Sequence, residues 1–389
     1  MSFLSEFQQY LQRHQQQAFQ LNYQIANDPE LSGEEYHACA AYVQACRGLG
    51  MTVEENFTNQ PTAFRAAVCR ADHPVLKAAI LAEYDALPDI GHGCGHSANG
   101  SMSFLAAAAL HAMKGLPMDV DLIGTPDEEL RGGKVGMCNA GIFRQYDLAL
   151  MVHVSPTETT ANSHFLALDD YRIQFHGQTA HAASEPWNGR NALNGAMLAL
   201  HAIDMLRQHV RPETRIGSYI VNGGSASNVV PDFSEVECCI RHTTRKYLDQ
   251  VVAKIMNCFK GAALATETTY NVKQLGYKFD DMVWNEAATE VSRQVLRDMG
   301  IPFTEPSDCG SSDIGNVSHQ CPALHLHLAM GNVWCPGHSA AIANMVKQPS
   351  IEPVILQGAE IIGRILFAFE KDPQIRQAVR QEFEQTVGK

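Results

Sequence analysis

The sequence predicts an α/β protein in which a largely parallel sheet is interrupted by an inserted unit of ferredoxin-like β-α-β-β-α-β order. Three observations carry this. Short apolar runs alternate with helical segments as far as Ser155, the signature of parallel strands joined by helices. From about Asp170 the order changes to strand, helix, two strands, helix, strand. From Trp284 the first pattern resumes. At 389 residues the chain exceeds the size at which one core usually divides. The expected domains are therefore 1–168 with 279–389, and an insertion at 169–278 whose ends lie close together.

The elements follow in order. Phe3 to Ile25 is helical, and a turn at Asn27-Asp28-Pro29 ends it. After Gly33 a second helix carries Tyr36, Ala40, Val43 and Cys46 at helical spacing. Lys77 to Asp85 is a buried strand, Ser101 to Met113 a helix, and Val120 to Pro126 and Leu148 to Ser155 are further strands. In the insertion, Tyr171 to His176 alternates as a strand, Asn191 to Gln208 is a helix, and Arg215 to Asn222 and Ser234 to His242 are strands. Tyr247 to Ala263 is a helix and Thr266 to Gln274 a strand. Pro322 to Met330 is a strand, and the last helix covers Glu352 to Glu370.

Composition narrows the function. Hydrophobic residues make up 45% and charged residues 18%, which is globular and not disordered. The net charge of −13 argues against nucleic acid, because binding there rests on Lys and Arg neutralising phosphates. No apolar run is long enough to span a bilayer, so no membrane is expected. The opening segment MSFLSEFQQY lacks the basic and apolar regions of a secretory signal, so the expected location is cytoplasmic. The 11 cysteines have no repeating spacing. Cys39, Cys46, Cys69 and Cys258 are expected to be buried, reduced thiols.

Metal-competent residues collect after the apolar strands, where open α/β sheets bind ligands. Asp85 ends one strand, Glu128 and Glu129 follow another, and His153 ends a third. In GHGCGHSANG, Cys94 and His96 flank one glycine, a spacing that lets thiolate and imidazole face one cation or that simply shapes a structural or redox loop. The Glu128-Glu129 pair offers a ligand and a proton acceptor, or an acid-rich helix N-terminus. His153 alone reads as a core histidine ahead of a ligand, and His338 in PGHSA carries no meaning by itself. His325 and His327 share one strand face and read as structural. Together the set suits metal-assisted hydrolysis.

These segments resemble the M20 metallopeptidases, in the branch of indole-acetyl-amino-acid hydrolases, aminobenzoyl-glutamate hydrolase and M20 domain-containing dipeptidases. PELSGEE, AEYDALPDIGHGCGH, GTPDEE, ALMVHV, GQTAHAA, NVVPD and SSDIGNVSH follow in the family's order over nearly the whole chain. The resemblance implies two divalent cations, with zinc the first expectation and manganese, cobalt or nickel as alternatives. Cys94, His96, Glu129, His153 and His338 would bind them. Glu128 would be the general base acting on metal-activated water, and Asp85 would orient the site. The insertion would be a lid and dimerisation domain whose His181, from its own chain or a partner subunit, steadies the oxyanion. Asn228, Arg241, Gly310 and Ser311 would lie near the free carboxylate of a small amide substrate. Homodimers are expected. One departure is Ser97, where the family has Asp or Asn after Cys-Gly-His.

The implied reaction is cleavage of an amide bond in an N-acyl amino acid, an amino-acid conjugate or a dipeptide. The rival on the same fold is an N-carbamoyl or allantoate amidohydrolase, whose His-x-Asp motif is replaced here by Glu83-Tyr84-Asp85. A non-catalytic ligand-binding relative is opposed by the intact Glu128, Glu129 and histidines. A redox role for Cys94 lacks a resolving cysteine beside it.

Overall fold

The computed structural model describes residues 3–307 and 310–387. It divides into one unit of residues 1–164 with 282–389 and another of residues 165–281, where the sequence reading placed 169–278.

The first unit opens with α1 (Phe3–Asn27) and α2 (Tyr36–Gly48), then β1 (Thr52–Glu55), β2 (Phe64–Cys69) and β3 (Leu76–Ala82). Next come α3 (His96–Ala112), β4 (Met118–Gly124), α4 (Gly133–Asn139) and β5 (Leu148–Ser155). Among the described residues its sheet has the order β1-β2-β4-β3-β5, closed by the late strand at Ala323–Ala329. The inner strands β4, β3 and β5 and that late strand run parallel, while β1 and β2 form an antiparallel edge that the sequence reading did not identify. β3 lies between two neighbours, so its run LKAAILA is apolar at nearly every position instead of alternating.

α1 buries one stripe, Phe7, Leu11, Ala18 and Ile25 among it, at helical spacing. α3 is buried from His96 to Leu110. The sequence places the start of this helix at Ser101, after the polar segment HSANG. Two of those polar side chains instead bond inside the core: His96 Nδ1 donates to Asp85 Oδ1 (2.8 Å) and the Asn99 side-chain oxygen accepts from the Val154 amide (2.8 Å). Gly95, at φ +87, makes the left-handed turn into the helix, and a Cβ there would meet Val154 at 2.2 Å. β3 also ends at Ala82, three residues before its expected end, leaving Glu83, Tyr84 and Asp85 buried beyond the ladder.

The second unit comprises β6 (Ala167–His176), α5 (Ala192–Leu206), β7 (Arg215–Asn222), β8 (Phe233–His242), α6 (Arg245–Ala265) and β9 (Thr269–Phe279). Its antiparallel sheet has the order β7-β8-β6-β9, the ferredoxin-like arrangement. β9 begins three residues later than the sequence reading placed it. α5 and α6 cover one face of the sheet through Ala196, Ile203, Val251, Ile255 and Phe259, which pack on Ile173, Phe175, Val236 and Ile240. β7 is an edge strand, and Tyr219, Ile220 and Val221 are exposed along it.

The first unit resumes with α7 (Glu286–Asp298), α8 (Ile314–Ser318), β10 (Ala323–Ala329), α9 (Ala340–Met345), α10 (Glu352–Lys371) and α11 (Pro373–Val387). No helix among the described residues is long and apolar enough to cross a membrane. Cys39 and Cys46 are buried free thiols, and burial pushes both up to about 12. Cys69 and Cys258 are also free but only partly buried.

Candidate active site

The strands of the first unit deliver their C-terminal ends to one place. Asp85 follows β3, Glu128 and Glu129 follow β4, and His153 lies near the end of β5. The loop after β3 brings Cys94, and α3 begins with His96. His338 stands in the loop before α9 with φ +53.

These side chains converge. Donor atoms of Cys94, His96 and His153 lie within 4.8 Å of one another, as do those of Cys94, Glu129 and His338, and those of His96, Glu128 and Glu129. Cys94 thus belongs to two donor sets and links them. All five ligands expected from the sequence meet here, together with the expected base.

Asp85 is the anchor. Its Oδ1 accepts from His96 Nδ1 at 2.8 Å, and its Oδ2 accepts from the Ser32 hydroxyl (2.8 Å) and the Glu129 amide (3.0 Å). One carboxylate therefore orients one imidazole and one acidic residue of the site. Burial works against its charge, but facing His96 and these hydrogen bonds hold the Asp85 carboxyl well below the usual range. A carboxylate only accepts, so His96 Nδ1 is the donor and Nε2 is left toward the other acids. Nε2 lies 3.5 Å from Glu83 Oε2 and 3.9 Å from Glu129 Oε1, and all three atoms are buried without a hydrogen-bond partner among the described residues. Such a set calls for positive charge between its members. Burial opposes a charged His96, but Asp85 and Glu83 outweigh it and raise the imidazole well above its ordinary value.

His153 donates Nδ1–H to Val154 O at 2.7 Å, which leaves its Nε2 as a lone pair. Burial, then His96, lowers it to about 3, so it is neutral near pH 7. Burial, then Glu129, pushes the Cys94 thiol well up; a divalent cation would reverse this by binding the thiolate. Burial, then the Glu129, Glu83 and Asp313 carboxylates, raises Glu128 well above the carboxylate range, so this side chain is suited to carry a proton. The donor types, soft thiolate with imidazoles and carboxylates, fit a pair of divalent transition ions.

Two features were not legible in the sequence. Lys134 is fully buried, and its Nζ donates to Glu83 Oε1 and Asp313 Oδ1 at 2.6 Å each, while its amide donates to Asp313 Oδ2 at 2.9 Å. Asp313 thereby ties the segment holding Gly310 and Ser311 to the Glu128 loop, since Glu83, Glu128 and Asp313 place oxygens within 4.8 Å of one another. Lys134→Met, which strands two buried carboxylates, should cost about 3–5 kcal/mol of stability in denaturant unfolding. A loss under about 1 kcal/mol, the scale of an exposed pair, would contradict this. The second feature is Glu35, also buried. It accepts from the Gly33 and Asp127 amides (2.6 and 2.9 Å) and from Thr62 Oγ1 (2.9 Å), and burial followed by Asp85 raises it to about 7. It pins Asp127, which has φ +62 immediately before Glu128. The PELSGEE segment was the only sequence signal for it.

His325 and His327 pack their rings against His153 at 5.4 and 5.5 Å, and Ser163 lies 3.1 Å from His327 Nδ1. Neither belongs to a donor group among the described residues. Ser97, the departure noted above, has a buried hydroxyl without a partner.

In the second unit, His181 Nδ1 accepts from the Ala183 and Ser184 amides at 3.2 Å each, so Nε2 carries the proton. Asn228 is its neighbour, since the Ala182 amide donates to Asn228 O at 3.0 Å and His181 pairs with Val229. Arg241 is not with them. His176 pairs with Phe233 at one end of the β6–β8 ladder and Leu168 with Arg241 at the other. Eight residues of strand, about 26 Å, separate the two ends. Arg241 instead lies beside Asp170 and Cys239. Within one chain, Asn228 and Arg241, both expected near the substrate carboxylate, therefore stand toward opposite ends of this ladder.

A family model described as peptidase dimerisation domain matches residues 167–267. The human Xaa-Arg dipeptidase is 30% identical over 92% of this chain and 87% of its own length. One of the subunits of the p-aminobenzoyl-glutamate hydrolase of Escherichia coli is 33% identical over 63% of this chain and 55% of its own length. Among solved structures, the Bacillus subtilis YXEP protein, described as a dinuclear metal-binding peptidase from the M20 family, superposes with TM-score 0.64 at 16% identity, covering 90% of this chain and 99% of that one.

Proposed function

Because this chain belongs to the M20 peptidase family, we propose that it is a metal-dependent hydrolase of small amides, cleaving a dipeptide or an N-acyl amino acid that bears a free carboxylate. The observation that supports this most is the meeting of Cys94, His96, Glu129, His153 and His338 around buried acceptor atoms that have no partner. These five side chains would hold two divalent cations, zinc first among them. Bound there, the cations supply Lewis-acid polarisation of the scissile carbonyl and acidify water.

The chain's own residues do the rest. Glu128 takes a proton from the attacking water and returns it to the amide nitrogen, without which the amine leaves poorly. Asp85 keeps His96 and the Glu129 backbone in register during this exchange. His181, with its proton on Nε2, donates to the carbonyl oxygen as charge develops there. Asn228 beside it, and Gly310 with Ser311 beyond Asp313, are proposed to receive the substrate carboxylate.

The test is amine release by protein loaded with Zn, Mn or Co, across Xaa-Arg and other dipeptides, N-acyl amino acids and aminobenzoyl-glutamate. Turnover that a chelator abolishes is expected. Fully loaded protein that releases no amine from any of them would contradict the reading. N-carbamoyl amino acids in the same panel test the rival chemistry.

The exposed edge β7, with Tyr219, Ile220 and Val221, and Met205 exposed on α5, offers a surface for a second copy. A cytoplasmic homodimer is proposed. If each site borrows His181 from the other copy, then mixing inactive Glu128→Gln and His181→Ala proteins under exchange should restore about a quarter of the unaltered activity, because half the dimers are mixed and each has one complete site. No recovery on verified mixing would place His181 in the site of its own chain.

A further inference from the structure

Building on the two-cation reading above, we propose that Glu83 is a sixth protein ligand, binding the cation held by His96.

Glu83 is fully buried and its two oxygens have different surroundings. Oε1 accepts from Lys134 Nζ at 2.6 Å, while Oε2 has no hydrogen-bond partner among the described residues. The basic atom facing Oε2 is His96 Nε2, at 3.5 Å, which is unpartnered as well. Neither atom is free to turn away, since Asp85 fixes the imidazole through Nδ1 and Lys134 fixes the carboxylate through Oε1.

The separation distinguishes two occupants of the gap. A charge-assisted hydrogen bond between nitrogen and carboxylate closes to about 2.7–2.9 Å. Two ligands at about 2.1 Å on one tetrahedral ion stand about 3.4 Å apart. The observed gap matches the second spacing. Lys134 then acts as the outer partner that aims a ligating carboxylate, as the outer partners of metal ligands commonly do. Asp313, on the far side of Lys134, balances its charge without approaching His96 through any hydrogen bond or ion pair among the described residues.

The experiment uses the full chain, stripped of metal and titrated with Co²⁺, read by calorimetry and by ligand-field absorption. Glu83→Gln should weaken one of two metal equivalents by more than about 100-fold, beyond the loss that removing an outer partner gives, and change the Co²⁺ spectrum. Asp313→Asn disturbs the same ion network but leaves the Glu83 carboxylate, so it should bind both equivalents with an unchanged spectrum. Glu83→Asp keeps a charge for Lys134 but withdraws the carboxylate by one methylene. It should lose the same equivalent, and it decides the matter if the Gln variant does not fold. Two equivalents bound with unaltered affinity and spectrum by Glu83→Gln, or by Glu83→Asp in its place, would overturn the assignment. Equal weakening in Asp313→Asn would overturn it too, assigning the effect to the ion network. If the unaltered chain binds no divalent ion, the two-cation reading itself fails, a result distinct from the others.

Discussion

Glu128→Gln is expected to lower kcat by about 10²–10⁴-fold while fold and metal content stay as they are, the scale set by losing a positioned proton carrier. The amide is nearly isosteric with the acid, so packing survives. It also leaves Glu129, His96 and Cys94 in place. What it removes is the ability to take up a proton and give it back. Glu128 is suited to that task by its setting, where burial and three carboxylates favour its protonated form and Lys134 opposes them. Steady-state amine release, with metal analysis of the same sample, checks this. A rate near that of the unaltered protein would remove Glu128 from the reaction.

Cys94→Ala should abolish activity by a different route, through metal loss. Cys94 belongs to the donor group of His96 and His153 and to that of Glu129 and His338, so its removal weakens both cation positions at once. A substitution at His153 or His338 touches one group only. The expected result is that Cys94→Ala retains little of either metal equivalent after dialysis, whereas His338→Ala retains about one. A Cys94→Ala protein with full metal content would show that the thiolate links nothing.

The candidate donors were legible as a set through the resemblance of their ordered motifs to the M20 family, since singly each also reads as a structural residue. Glu128, Glu129 and His153 stand at or just after strand ends, Cys94 and His96 on the loop and helix start that follow β3, and parallel strands bring their ends together whatever the sequence distance. The parallel core of the sheet and the β-α-β-β-α-β order were legible for a different reason: periodicity is local. What depends on long-range pairing was not. The link of Lys134 to Glu83 and Asp313 joins three positions with no local pattern between them. The start of α3 was obscured because HSANG is polar, and only the tertiary bonds of His96 and Asn99 show why it can be buried. The distance of Arg241 from His181 follows from strand register, which no single strand reveals.

The most direct test of the whole account is a crystal structure of the metal-loaded chain, with anomalous scattering measured at the edge of the bound metal. The account predicts two anomalous peaks within coordination distance of the Cys94 sulfur, one also bound by His96 and His153 and the other by Glu129 and His338. A single peak elsewhere, or none at these side chains in protein that hydrolyses amides, would contradict it.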